Sequence, residues 1–228
     1  ICLLAVLWPL DRFLVTRLGW GRRLRYPAVA LLGFFGMADQ TPRGWFTSEV
    51  TRFPQEQAER FRADRRFFEQ VEVTLGSGNV FTCPYIPYPE EFPLHAMNTY
   101  EHARGYLLTR NLRWSYGAMK NREVDVWSEN VSHDVPDELL RRVTVSGFDG
   151  IYVDKRGFDR TNGDPGEKLL THLRDRIARL TGTTVEVIRH ESGEQAFLDI
   201  RPYRDWLRAH PPEPFEEWSR REREWVAL

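Results

Sequence analysis

Apolar residues recur along this chain with two different spacings, and the alternation of the two predicts the fold. Spacings of three and four residues predict helices at 54–75, from about 136 to 146, at 164–182 and at 201–210. Short apolar runs bounded by Gly or Pro predict strands at 79–85, 112–117 and 148–155, and a hairpin of 184–190 with 196–201. A shorter helix is expected near 100–108.

The order of these elements predicts the fold class. Strands that alternate with helices are typical of α/β proteins. We therefore expect an α/β fold with a mainly parallel sheet, helices on both faces and an antiparallel edge hairpin. Asp134 is expected to cap the helix that begins near Pro136. The buried face of the first helix is expected to consist of Ala58, Phe61, Phe68, Val71 and Leu75.

Two strongly apolar stretches, 1–10 and 26–38, precede this pattern. The segment between them carries one acidic residue, Asp11, and several arginines: Arg12, Arg17, Arg22, Arg23 and Arg25. Each stretch is shorter than the roughly 20 residues that cross a bilayer, so soluble core or surface helices are an alternative. We interpret them as membrane segments because arginines cluster between them, and the positive-inside rule then places that loop in the cytoplasm.

This interpretation divides the chain into three parts. Residues 1–38 are expected to hold the membrane segments and the Arg-rich cytoplasmic loop, and 39–210 an extracytoplasmic α/β domain. Residues 211–228 are expected to form a charged tail, which could be a surface helix. The chain begins with Ile inside an apolar run, so we interpret it as a fragment of a longer protein.

The charge balance and the aromatic content of the chain limit the classes of function that it can have. Lys and Arg number 32 and Asp and Glu 33, which gives a formal net charge of -1. This balance argues against the strongly positive field of a nucleic-acid-binding protein. Aromatic residues make up 13 % of the chain, which suits a packed domain, a sugar-binding surface or a membrane interface. The 2 cysteines do not suggest a disulfide scaffold.

Candidate binding residues follow the ends of three predicted parallel strands. Ligands of parallel α/β sheets bind outside the carboxyl ends of the strands, so these segments are expected to form one rim. Aromatic rings with fixed polar groups suit a sugar, and Lys or Arg suits a phosphate. The candidate residues are Tyr85, Tyr88, Glu90, Lys120, Arg122, Asp154 and Arg156. We assign no catalytic residue and no metal ligand.

Two alternatives remain open for the rim. Asp154 could act as an acid, with Glu90 as the second carboxylate of a hydrolase, or it could pair with Lys155 or Arg156 and cap the following turn. The spacing of His95, His102 and His133 fits no tight metal motif, so structural or surface roles are favoured.

The basic and aromatic stretch 102–122 also has two interpretations. Trp114 and Tyr116 alternate with Arg113 and Ser115, which predicts that the two rings lie on one face of a strand and in the core. Lys120 and Arg122 follow the strand and are expected to be more exposed. The stretch therefore indicates a buried strand that leads into a basic loop, rather than a nucleic-acid-binding stripe.

Three stretches carry a family resemblance: "FTCPYIPYPEEFP", "MNTYEHARGYLLTRNLRWSYGAMKNRE" and "SGFDGIYVDKRGF". Together they resemble the C-terminal extracytoplasmic domain of polytopic bacterial membrane proteins of the GT-C-like glycosyltransferase, phosphoglycerol transferase or sugar translocase kind. The resemblance covers most of residues 26–201, and "DQTP" at 39–42 is similar to the segment after the last membrane helix there. Cys83 stands where Leu is commoner.

The resemblance implies a part of an integral-membrane transferase of cell-envelope glycan synthesis, located in the bacterial inner membrane. It implies that the catalytic carboxylate lies in an absent N-terminal part and that this fragment does not catalyse alone. The implied partners are the lipid bilayer, a polyprenyl-phosphate-linked sugar and a glycan acceptor, with no nucleic acid. A divalent metal would belong to the full-length protein, and no cofactor is visible in this fragment. The alternative is a membrane-anchored, non-enzymatic domain that binds glycans or proteins.

Overall fold

A computed structural model describes residues 49–211 and 214–226, together with five residues of 26–34 that are helical. The predicted membrane segments otherwise lie outside the described residues. None of the described helices combines the length and the apolar character needed to cross a bilayer. The chain divides into two compact units, Ile1–Glu59 and Arg60–Leu228, and the second contains the sheet.

The described elements follow the predicted alternation. The helices are α1 (Glu49–Leu75), α2 (Arg104–Leu108), α3 (Glu123–His133), α4 (Pro136–Val145), α5 (Pro165–Thr181), α6 (Arg201–Ala209) and α7 (Phe215–Val226). The strands are β1 (Gly78–Cys83), β2 (Leu112–Trp114), β3 (Gly150–Asp154), β4 (Val187–Arg189) and β5 (Gln195–Asp199). Short 3₁₀ turns occupy Glu101–Ala103 and Lys155–Gly157.

The five strands form one mixed sheet in the order β2-β1-β3-β5-β4. β1 pairs in parallel with β2 and with β3, while β5 is antiparallel to both β3 and β4. The α/β class and the antiparallel hairpin at one edge are therefore confirmed. Because β1, β2 and β3 are parallel, their carboxyl ends lie at the same edge of the sheet.

Apolar side chains cover both faces of the sheet. On one face, strand residues such as Phe81, Ile151 and Leu198 pack against α3 to α7. On the other, the α1 residues Phe67, Phe68, Val71 and Leu75 pack against strand side chains that include Trp114, Tyr152 and Phe197. The sheet is thus buried between two helical layers, as its nearly continuous apolar strands predict.

Several local predictions need correction. Asp134 does not cap α4, whose N-cap is Val135 without a side-chain bond. Phe61 is 54 % exposed, whereas Phe67, which the predicted stripe omitted, is buried. The buried face of the helix runs from Asp64, which pairs with Arg104, through Phe67 and Phe68.

The sequence pattern also missed α3, and it treated 211–228 as a separate charged tail. The described part of that tail is α7, which packs on the main domain. Phe215 at its start is buried in the larger apolar cluster. Glu222 accepts a hydrogen bond from Trp127 Nε1 at 2.8 Å and lies 3.5 Å from Arg142 Nε.

Gly105 tests how tightly the smaller core is packed. A Cβ at Gly105 would lie 2.4 Å from Trp114 Cδ2, and the indole is held by Phe68, Tyr152 and a 2.9 Å hydrogen bond to Thr109 Oγ1. We expect Gly105→Ala to lower the free energy of unfolding by about 1–3 kcal/mol, measured by urea denaturation. Leu107→Ala, an exposed position on the same helix, is the control, and equal midpoints for the two variants would contradict the packing argument.

Candidate functional site

The three segments predicted to share one rim do meet at the carboxyl edge of the parallel strands. The Tyr88 amide donates to Ala118 O at 2.9 Å, and the Lys120 amide donates to Tyr88 O at 3.0 Å. These two bonds join the loop after β1 to the loop after β2 in a short parallel bridge. The Ala96 amide donates to Arg156 O at 3.0 Å, which attaches the segment after β3.

The outer side of this rim presents aromatic and basic side chains to solvent. Tyr88 and Tyr100 are 43 % and 47 % exposed, and their ring centroids are 6.3 Å apart. Lys120 Nζ lies 2.6 Å from Glu91 Oε1, and this contact lowers the pKa of Glu91. We call the following exposed or half-exposed residues the rim surface: Tyr88, Phe92, Tyr100, Met119, Lys120 and Arg122.

Two predicted binding residues, Tyr85 and Glu90, instead form hydrogen bonds that connect the loop after β1 to neighbouring segments. Tyr85 Oη donates to Asp125 Oδ1 at 2.7 Å. Glu90 accepts from Tyr116 Oη at 2.7 Å and from the Tyr100 amide at 2.9 Å. Burial and the neighbouring carboxylate raise the pKa of both phenols, so both stay protonated donors at neutral pH. Their contacts position the rim rather than face a ligand.

Asp154 and Arg156 form an ion pair whose carboxylate is buried and whose guanidinium is partly exposed, which is the pairing that the structural alternative expected. Asp154 is fully buried, and its carboxylate accepts from Arg156 Nε at 2.9 Å and from Nη2 at 2.6 Å. It also accepts from the Arg156 amide and so caps the 3₁₀ turn. Burial opposes the charge of Arg156, but the bond to Asp154 and nearby carboxylates raise its pKa overall. Glu90 is likewise hydrogen-bonded, so both carboxylates of the suggested hydrolase pair already have partners within the protein.

The ion pair belongs to a larger group of ionisable side chains, buried or partly buried, whose connections the sequence did not reveal. Arg156 Nη2 lies 3.2 Å from Glu101 Oε2, and Arg104 pairs with both Glu101 and Asp64. His190 Nε2 lies 3.4 Å from Asp64 Oδ1. We call this set the inner charge network: Asp64, Glu101, Arg104, Asp154, Arg156 and His190. The pairs Glu101–Arg104 and Asp154–Arg156 are local, but the contacts that join them to each other and to Asp64 span 40 residues or more.

His102 lies beside this network and is 2 % exposed. Its Nε2 lies 3.1 Å from Pro84 O, which requires a proton on Nε2 and leaves Nδ1 as an acceptor. Among the described residues, Nδ1 and the buried Tyr152 Oη have no hydrogen-bond partner. Burial lowers the pKa of His102, although the charges of Asp154 and Glu90 act in the opposite direction.

The other two histidines of the predicted set lie apart from this site. His95 and His133 are both exposed, and His133 Nδ1 lies 2.8 Å from Glu129 O. Within the described ranges, no group of three or more His, Cys, Asp or Glu residues is arranged to hold a metal ion.

Comparison with known proteins adds no identification. No family model, no curated protein and no solved structure matches this chain.

His102 should make the fold sensitive to mild acid. Its folded pKa is lowered, so below about pH 6.5 the unfolded chain binds a proton that the folded protein excludes. The free energy of unfolding should fall with decreasing pH by up to about 1.4 kcal/mol per unit in that window. We expect His102→Gln, which keeps a donor near Pro84 O, to reduce this slope in urea unfolding between pH 7.5 and 5.5.

His133→Gln is the control for this prediction, because it removes an exposed imidazole instead of a buried one. The control should keep the wild-type slope. If His102→Gln also keeps it, the proton-excluding role of the buried imidazole is refuted.

Proposed function

We propose that this chain is the C-terminal part of a bacterial integral-membrane protein of cell-envelope glycan synthesis, of the glycosyltransferase-like or phosphoglycerol transferase-like kind. In this proposal one or two membrane segments precede the α/β domain, which faces the periplasm or the exterior. The domain binds a phosphate-bearing sugar, either the head of a lipid-linked donor or part of the acceptor. The chemical step belongs to the absent N-terminal part.

The observation that carries this proposal is the composition of the rim surface. Tyr88 and Tyr100 offer two neighbouring ring faces, and aromatic faces are what sugar rings pack against. Lys120 and Arg122 lie on the loop bridged to Tyr88, within one structural unit with those rings. Cations beside aromatic rings at the carboxyl ends of parallel strands suit a sugar phosphate.

The contacts between the resemblance-bearing stretches also support the proposal. Glu90 of the first stretch bonds Tyr116 of the second, and Arg156 of the third pairs with Glu101 of the second. Arg104, in the "RGYL" part of the second stretch, completes the same network. Residues that carry the resemblance are therefore those that shape the rim, which links the resemblance to the candidate binding surface.

The second candidate function is a membrane-anchored domain that binds glycans or proteins without catalysis. It is favoured by the engagement of Asp154 with Arg156 and of Glu90 with Tyr116, since a carboxylate held by such partners is a poor proton donor. The two candidates share the rim surface and differ in the activity of the full-length protein.

Binding of sugar phosphate should depend on the rim cations and be opposed by Glu91. We expect Lys120→Gln with Arg122→Gln to raise the Kd of glucose 1-phosphate at least tenfold, about 1.4 kcal/mol, measured by isothermal titration of the full chain. Glu91→Gln should lower that Kd several-fold, because it releases Lys120 from its present ion pair.

Arg110→Gln removes one exposed positive charge away from the rim surface and should leave binding unchanged. Glucose without phosphate should bind more weakly and be insensitive to these charge changes. If Glu91→Gln and the double variant both bind as the wild type does, the rim surface is not the phosphate site.

Membrane topology tests the other half of the proposal. We expect an alkaline phosphatase fused after Leu228 in the longest native reading frame to be active, and a green fluorescent reporter at the same point to be dark. This result follows if the Arg-rich loop is cytoplasmic and the second segment leads outward. Fluorescence without phosphatase activity would place the domain in the cytoplasm and remove the envelope-transferase proposal.

A further inference from the structure

A second concavity lies beside β2, and no residue of the rim surface lines it. It has a volume of about 350 Å³ and lies between β2, α3 and the turn from α4 to β3. Arg113 and Asn79 are register partners on β2 and β1 and both line it. The volume is within the range of pockets that hold small organic ligands. We call this concavity the β2 pocket.

The wall of the β2 pocket combines a flat apolar surface with hydroxyl groups. Trp127 and Phe148 stack with their rings inclined by 14° and centroids 6.2 Å apart. Ser128 lines the pocket beside them and is 1 % exposed. A hydroxyl in the wall of a cavity can both donate to and accept from a polar atom of a ligand.

Among the described residues that line the β2 pocket, Arg113 is the charged one. The Arg113 guanidinium is exposed and forms no ion pair or hydrogen bond with any residue that the structure describes. No Asp or Glu is among the described residues that line the pocket, and the carboxylates of Asp149 and Glu222, which contact two lining residues, already accept hydrogen bonds from Asn79 N and Trp127 Nε1. An unpaired guanidinium beside an apolar wall selects an anion, and it binds carboxylate or phosphate in a bidentate manner.

We propose that the β2 pocket binds a small amphipathic anion: a carboxylate or phosphate ester with a flat apolar body. The anionic group pairs with Arg113, the body lies along Trp127 and Phe148, and a polar atom of the ligand bonds the Ser128 hydroxyl. This site shares no residue with the rim surface and does not depend on the function proposed for it.

Phenyl phosphate is the probe, with inorganic phosphate and phenol as its two separate parts. Saturation-transfer NMR and isothermal titration on the full chain should show that phenyl phosphate binds at least tenfold more tightly than either part. Arg113→Gln should raise its Kd about tenfold. Val124→Trp should block binding without a change of charge, because Val124 lines the pocket from α3 and is only partly buried.

Arg110→Gln, which removes a nearby exposed charge, and the Lys120 and Arg122 double variant should bind phenyl phosphate as the wild type does. Loss of binding in the double variant alone would assign the probe to the rim surface and overturn the proposal. Wild-type affinity in Arg113→Gln would overturn it as well, whatever the folding of Val124→Trp. Equal binding of inorganic phosphate and phenyl phosphate would leave the apolar wall without a role and count against the proposed ligand class.

Discussion

Asp154 is buried completely at the end of the central strand β3, and the surrounding structure has to neutralise its charge there. Moving an unpaired carboxylate out of water costs far more than a domain of this size can supply, so the carboxylate needs a fixed cation and further hydrogen bonds. Arg156 supplies both the guanidinium and the backbone amide. The second carboxylate on Arg156, that of Glu101, in turn requires Arg104.

This sequence of pairings explains why the segments around the sheet edge are ordered. Arg104 reaches Asp64 on α1, and thereby ties that helix to the 3₁₀ turn and α2. The loop after β1 is attached to the same region through the contact of Pro84 O with His102. Removing one member would leave another charge buried and unpaired, which is more costly than the pair itself is stabilising. The network is therefore best understood as the support of the rim, with ligand contacts left to the exposed side chains.

The sequence predicted the elements better than it predicted the directions of their side chains. The spacing of apolar residues and the Gly or Pro at the ends of each run were sufficient to predict β1, β3, α5 and the hairpin, because these apolar runs are long. α3 was not predicted, because in "EVDVWSENVSH" the polar residues Asp125 and Ser128 are buried while Val126 is exposed. The apolar residues of this helix therefore do not recur at a clear helical spacing.

Loop side chains were harder still to predict. Tyr85, Tyr88 and Glu90 occur within six residues of one proline-rich loop, where no period indicates which side faces solvent. Only Tyr88 faces outward, because Tyr85 and Glu90 have specific partners on α3 and after β2. Those partners are 40 and 26 residues away, and no local pattern could have identified them.

α3 joins the two candidate binding surfaces. Its first turns hold the rim from below: Asp125 accepts from Tyr85 Oη on the first rim loop and from the Asn121 amide on the second, both at 2.7 Å. Two and three residues later, Trp127 and Ser128 line the β2 pocket. A ligand that bonded Ser128 would therefore contact the same helix that, through Asp125, holds the loop carrying Lys120. Through this shared helix, a ligand in the β2 pocket could change the affinity of the rim surface for its own ligand. Thermodynamic linkage requires that the rim ligand would then change the affinity of the β2 pocket by the same factor.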